Sequence, residues 1–546
     1  MKIDKKKLSN TGVYFLFFIS LCLSQPSAKY RPFDWLLFKE PGRINSISEG
    51  YEFLYIGTSH GGIYRYNLYG NQYDFPISTA QGLDNNNISS VHFDHSTGII
   101  WASSYGALQY SYTREGDWRI IDLVDIGLRN NDRIVQLGNS KNYIWAKASA
   151  VYVKLDKSSG VLAGIYPMPD EINIVWSSGK YNEQPEIASV LNNYALMSGW
   201  MTSGSKLIDG YGRYIDITSG LIGKHNDVWI GTSDGTLFQG NKTMEAMFPT
   251  EFGIRGSNIN ALFHNDEELW IGSKGYDIGR GVTKLNTRTF QTDHFDFDVT
   301  VNMNLTEIHS FYDFDNVLWV GGNSVVLVFD KSENYWRTLG EERGVPNTDI
   351  TSMVGDSNFV WIGSYRGIRQ INRKTKREEP MGFEYLFYNH PVNDLFLNDY
   401  GVWIASRTGI YLYDKNNPQI MNALSIGDSY LDFPVSRVTS VFQQDNLVYF
   451  ATNIGIIVFD TEEKFWDMAI PTSDYKGLDV NDILLLGKFC FIATDRGMFR
   501  INLKSKGVRE YNFDFIGSVN TIENIGKYIW MGTSEGLIRF KWRKDL

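Results

Sequence analysis

Val228-Trp229-Ile230-Gly231-Thr232, followed by Ser233-Asp234-Gly235 and Thr236-Leu237-Phe238, is the stretch on which the fold turns. A run that is apolar on successive residues reads as a strand covered on both faces. The glycine beyond it supplies the left-handed backbone of a tight hairpin, and a second strand runs back. The phrase begins again at Leu54, Ile100, Ile144, Leu269, Leu318, Val360, Val402, Val448, Cys490 and Ile529, eleven clear copies in all. A worn twelfth is expected at Tyr194-Ala195-Leu196-Met197. Most spacings are about 40 to 50 residues, the period of a four-stranded β-propeller blade.

Each place in the phrase has a physical reason. The second residue is aromatic in all eleven copies, and the fourth is Gly, Ala or Ser in ten, Lys147 being the exception. A large ring fills the space between neighbouring sheets, and a small residue lets another backbone approach. The returning strand often closes on Asp414, Asp460 or Asn502, residues whose side chains cap a turn. Upstream, Gly82–Ile88, Gly253–Ile259, Gly344–Ile350 and Gly477–Ile483 keep one spacing and are expected to mark the start of a further strand.

Eleven or twelve blades exceed the four to eight of a typical ring. The sequence therefore predicts an all-β chain of two β-propellers, each of about six (six to seven) four-stranded blades. The final copy lacks an outer strand after Leu537–Phe540, and Trp35-Leu36-Leu37-Phe38 is a spare one. Joining them leaves no open edge. The repeat is disturbed between about 163 and 224. These features predict a discontinuous first propeller, 29–224 and 476–546, with a second, 225–475, inserted into it. A tandem split near 300 is the alternative.

Residues 1–24 read as a signal peptide: Lys2, Lys5, Lys6 and Lys7 precede a short apolar run, Val13 to Leu23. Ile19-Ser20-Leu21-Cys22 faintly resembles a lipoprotein box, with Leu21 where a small residue is expected. The expected location is the periplasm or the cell surface. No later apolar run reaches the length of a transmembrane helix. Once Cys22 is removed, Cys490 stands alone in the apolar phrase and reads as a core thiol. The net charge of −10 and the lack of a basic stripe exclude a nucleic-acid partner.

Catalytic signatures are sparse. There is no Gly-x-Ser-x-Gly elbow and no His-Glu-x-x-His. His92-Phe93-Asp94-His95 is the one close histidine pair and reads as loop residues in water rather than metal ligands. Asp293, Asp296, Asp298, Asp313 and Asp315 read as a solvated acidic patch without a calcium-loop spacing. The Gly-rich run from Gly272 to Gly281 reads as an enlarged hairpin turn, not a phosphate loop. No metal and no cofactor are expected. Most tryptophans belong to the repeat; Trp176 and Trp200, in the disturbed stretch, are the candidates for a ligand-binding surface.

Gly344-Val345-Pro346-Asn347 leading to Val360-Trp361-Ile362-Gly363-Ser364-Tyr365-Arg366-Gly367-Ile368 resembles the two-component regulator propeller repeat, and the resemblance covers most of 40–546. In that family paired propellers form the periplasmic sensing region of hybrid histidine kinases and often recognise glycans. The resemblance thus implies sensing or binding outside the cytoplasm, although these residues include no kinase. By architecture alone the chain is also similar to the propeller component of type IX secretion systems. The expected function is a non-enzymatic binding or scaffold protein engaging a glycan or envelope protein, with a separate membrane sensor kinase or secretion machinery as candidate partners. The alternatives are an enzyme acting on a polysaccharide or small molecule at a propeller axis, and a secretion-system accessory component.

Overall fold

The structure, a computed structural model, describes residues 30–546 except 181–186, 188–190, 192, 225–226, 242–244, 275–280, 298–300, 302–306, 430 and 432–433. The expected signal peptide with Cys22, His225, Asp298 and most of the 272–281 turn lie outside the described residues. The described secondary structure is strands joined by tight turns and short 3-10 helices, in eleven mainly antiparallel sheets. In chain order these are blade 1 (44–77), blade 2 (90–122), blade 3 (136–176), blade 4 (179–250), blade 5 (258–295), blade 6 (308–339), blade 7 (350–372), blade 8 (392–422), blade 9 (428–471), blade 10 (480–511) and blade 11 (519–540).

Every copy of the phrase forms the second strand of its blade, hydrogen-bonded on both sides. Its aromatic ring is buried in all eleven, from Trp101, Trp145, Trp319, Trp403 and Phe491 at 0% exposed to Tyr449 at 4%. Full burial of such a ring is worth about 2–3 kcal/mol, so the repeat carries much of the driving force for stacking blades. The Asp or Asn closing the third strand accepts from the backbone ahead, as expected. Asp414 Oδ1 takes the N–H groups of Asn416 and Asn417, and Asn502 Oδ1 those of Lys504 and Ser505.

The fourth place of the phrase has a sharper role than the sequence suggested. It faces the first apolar residue of the neighbouring blade's innermost strand. A methyl built on Gly272 would stand 2.5 Å from Ile308 Cγ2, one on Gly321 2.7 Å from Ile350 Cγ2, and one on Gly532 2.8 Å from Ile259 Cγ2. In blades 8, 9 and 10 the fourth residue is Ala405, Ala451 or Ala493, and the corresponding neighbour is Val438, Val480 or Val519, each pair sharing one buried cluster. Glycine is thus matched to isoleucine and alanine to valine; Gly363 beside Val392 departs from the rule.

The innermost strands pack in two circuits. That of blade 1 lies against those of blades 2 and 4, and blade 2 against blade 3. Segment 175–180 spans from blade 3 to blade 4: Val175–Trp176 pairs with Gly138–Asn139, and Gly179–Lys180 with Ser219–Gly220. The innermost strands of blades 5 to 11 follow one another in order, and blade 11 returns to blade 5. Neighbours therefore change between 250 and 258, not at the expected boundaries 224/225 and 475/476. The disturbed stretch is not the crossing. It elaborates blade 4, where Met201–Ser203 and Lys206–Ile208 form an added hairpin. Ala195–Leu196, expected as a twelfth copy, adds a parallel strand to the outer edge at Ala246–Met247.

The latch forms as expected. Trp35–Phe38 pairs antiparallel with the last strand of blade 11, Trp35 opposite Phe540 and Phe38 opposite Leu537. Trp35 stacks on Phe540 at 3.7 Å between ring centroids. The chain then leaves blade 11 for blade 1 and returns near 251–257; Ile254 N donates to Lys39 O, so the two crossings lie side by side. One of the four upstream spacings was misphased. Ile259 and Ile350 begin their ladders opposite Ser273 and Ser364, and Ile88 precedes its own ladder and donates its N–H to Thr58 O of blade 1, but in blade 10 the residue that opens the ladder is Val480, not Ile483, because the preceding loop is three residues shorter.

Candidate functional site

The innermost strands of blades 5 to 11 open with one pattern, apolar then polar then small or acidic: Ile259-Asn260-Ala261, Val392-Asn393-Asp394 and Val480-Asn481-Asp482 are examples. In six of the seven a bulge falls between the first and third of these residues. A bulge re-aims the extra residue out of the ladder, and here that residue lines a cavity of about 220 Å³ on the axis of the larger circuit.

These axial side chains tie blade to blade. Thr351 Oγ1 donates to Val392 O (2.5 Å), Asn393 Nδ2 to Val438 O (2.7 Å), Asn481 Nδ2 to Val519 O (2.8 Å) and Asn520 Nδ2 to Ile259 O (2.9 Å). The last bond closes the circuit. The smaller circuit repeats the device: Asn45 Nδ2 donates to Ile88 O, Ser89 Oγ to Ile134 O and Thr218 Oγ1 to Ile44 O. Sequence reading missed this set. Its signal was the polar residue just after the first apolar one, hidden because Asn, Thr, Ser and His alternate there.

Two carboxylates straddle seams. Asp394 accepts from Ser352 Oγ of the blade before and Val441 N of the blade after; Asp482 does the same with Ser440 Oγ and Ile522 N. Burial pushes Asp394 up to about 7 against those hydrogen bonds, and raises Asp482 as well. Glu523, near Asp482, is pushed to about 7 by burial and by the charge of Asp482. His309 Nε2 lies 3.5 Å from Glu307 and 3.9 Å from Asp349, while burial holds the imidazole below its usual value.

One mouth of this axis widens into a pocket of about 540 Å³ between blades 7 and 10. Its floor is Asn393, Thr439 and Asn481, and its wall carries Tyr365, Arg407 and Arg437. A second cavity, about 680 Å³, lies where the circuits meet, between the loop 84–87, His60 and the Lys39–Glu535 ion pair (2.9 Å).

The residues singled out from the sequence do not converge. Trp176 is half-buried, paired with Gly138 and near Tyr152 (6.1 Å); Trp200 is half-buried with its edge on Phe238 (5.0 Å). No ring contact joins the two. His92, expected as a loop residue in water, is instead buried, 2% exposed, and bonded through Nε2 to Asn139 Oδ1 across a blade seam, with burial lowering it to about 4. Asp94 is buried too and paired with Lys157 at 3.2 Å. In the acidic patch Asp293 meets Lys284, Asp296 meets Arg213, and Asp313 meets Lys331. Cys490 is fully buried, its thiol pushed up to about 12.

No family model matches the chain, and no curated protein does. Among solved structures it is similar to the extracellular domain of a putative hybrid two-component system from B. thetaiotaomicron, at 12% identity and a TM-score of 0.42 over 91% of this chain and 70% of that one. It is also similar to the Neurospora crassa Pan2 WD40 domain, at 10% identity and a TM-score of 0.38 over 52% of this chain and 88% of that one. The chain's own stacked sheets, most of them four-stranded, and its buried repeat define it as a β-propeller repeat protein. No helix among the described residues is long and apolar enough to cross a membrane.

Proposed function

We propose that this is a non-enzymatic binding protein acting outside the cytoplasm, built as two unequal closed propellers, 44–250 and 258–540. Residues 35–38 close the larger one, and the mouth of its axis engages a glycan or an envelope protein. One contrast supports this reading. Deep in the axis Thr351, Asn393, Asn481 and Asn520 donate blade-to-blade hydrogen bonds, whereas Tyr365, Arg407 and Arg437 at the mouth have no side-chain partner among the described residues and are exposed. Committed polar groups hold shape, and uncommitted ones at a concave surface are free to recognise. A panel of polysaccharides and an envelope extract, offered to the full chain and to Tyr365→Ala, tests it. Binding weakened in the variant supports the reading. Turnover of a polysaccharide, seen as new reducing ends, would replace it with the enzymatic alternative.

A further inference from the structure

We propose that Arg407 and Arg437 form a binding site for the anionic group of a hydroxylated ligand, such as a saccharide bearing a carboxylate, sulfate or phosphate. This rests on the mouth being the binding surface and names the chemistry it takes.

The backbone sets the two arginines on one pocket. Arg407 is the first turn residue after the repeat phrase of blade 8, the place held by Tyr365 in blade 7 and Asn453 in blade 9; all three line the 540 Å³ pocket. Arg437 lies on the loop leading into the innermost strand of blade 9. Its N–H donates to Arg407 O (3.0 Å), and Arg407 N to Pro391 O (3.1 Å). On the far side Asn453 N donates to Ser436 O (3.1 Å) and accepts Ser436 N on Oδ1 (2.7 Å). The two arginines are therefore stitched across a seam by main chain. Arg437 also holds a φ of +50°, a left-handed conformation that a side-chain-bearing residue takes reluctantly.

Neither guanidinium makes a hydrogen bond or ion pair with a described residue, in a chain whose net charge is −10 and whose Arg213, Arg255, Arg288 and Arg369 all find carboxylates. An isolated free arginine is an ordinary solvated surface residue. Two on adjacent blades, their backbones joined by a hydrogen bond and both lining one concavity, offer planar donors suited to a carboxylate, sulfate or phosphate. The rest of the pocket suits hydroxyl groups. Asn393 and Asn481 spend their amide nitrogens on the seam and keep side-chain carbonyl oxygens without a described partner. Asp479, also on the lining, adds a carboxylate acceptor that would repel a bare anion but accept from a polyol.

The test is titration calorimetry of the full chain at low salt with four probes: an oligogalacturonate, a sulfated disaccharide, a hexose phosphate, and inorganic phosphate. A neutral oligosaccharide is the control. The expected result is binding of at least one hydroxylated anion, weakened by added salt, with about a tenfold loss of affinity in each of Arg407→Gln and Arg437→Gln. Arg407→Lys should retain part of it, and Arg337→Gln, an exposed arginine on the outer strand of blade 6, should retain all. Equal melting temperatures verify that the variants fold. Failure of every anion to bind, or binding unchanged in both glutamine variants, overturns the proposal. Neutral-saccharide or envelope-protein binding that is sensitive to Tyr365→Ala, without anion binding, would sink the anion site while leaving the binding function standing.

Discussion

Gly272→Ala separates the packing rule proposed for this repeat from ordinary strand chemistry. In an unconstrained strand interior, alanine for glycine stabilises by about 0.5–1 kcal/mol, because the chain has less freedom to lose. Here the added methyl would stand 2.5 Å from Ile308 Cγ2, 2.9 Å from Ile308 Cβ and 3.1 Å from Phe311 Cε2. All three belong to the next blade, so relief requires the innermost strand of blade 6 to move within a closed circuit. Overpacking of this kind costs about 1–3 kcal/mol, and the net expectation is a loss of about 1–2 kcal/mol. Ile308→Val removes the δ-methyl, frees the side chain to rotate, and alone costs about 0.5–1.5 kcal/mol. If glycine–isoleucine and alanine–valine are matched pairs, the double variant should lose less than the sum of the singles by about 1 kcal/mol. Urea unfolding followed by tryptophan fluorescence measures all four proteins, and with two circuits the shift is read only in the transition that moves. A Gly272→Ala protein as stable as the parent, or singles that add without coupling, would refute the reasoning.

Trp35→Ala should destabilise the larger circuit by about 3–5 kcal/mol, the cost of emptying a buried indole site, and expose blade 11 to proteolysis; cleavage no faster than the parent's would mean the latch is dispensable. Glu523→Gln tests the axial carboxylates through pH. A carboxyl held near 7 in the folded protein adds stability below the usual carboxylate range, and that contribution drains away as pH rises toward 7. The parent should therefore lose stability relative to the variant between about pH 4.5 and 7 in thermal melts, and parallel curves would contradict the shift. Cys490 should resist a disulfide-exchange reagent at pH 8 until the protein is unfolded, since its thiol is buried and held near 12; rapid labelling of the native protein would place it at the surface.

The blade was legible because its cause is local. The aromatic second place, the turn glycine and the closing Asp or Asn each answer to a contact within one hairpin or between identical neighbours, so they recur at a fixed spacing. The latch was legible for a related reason: one strand too few at Phe540 and one too many at Trp35. The axial site was not. Asn393, Thr351 and His309 occupy one structural place with different side chains, and their role depends on a bulge that no single strand reveals. His92 misled for the opposite reason, because a histidine beside Asp94 looks like a loop until blade 3 is laid over it.

By itself the sequence determined that this chain folds as stacked four-stranded sheets with rings wedged between them, since burial of a periodic apolar residue needs only the next copy of the same unit. Which sheets close on which was decided by the tertiary structure. Every blade offers nearly the same faces to its neighbours, so closure depends on a few contacts far apart in the chain, among them Asn520 reaching Ile259 and Thr218 reaching Ile44. The meeting of Arg407 and Arg437 was settled at the same level, because their shared pocket exists only once blades 8 and 9 stand side by side.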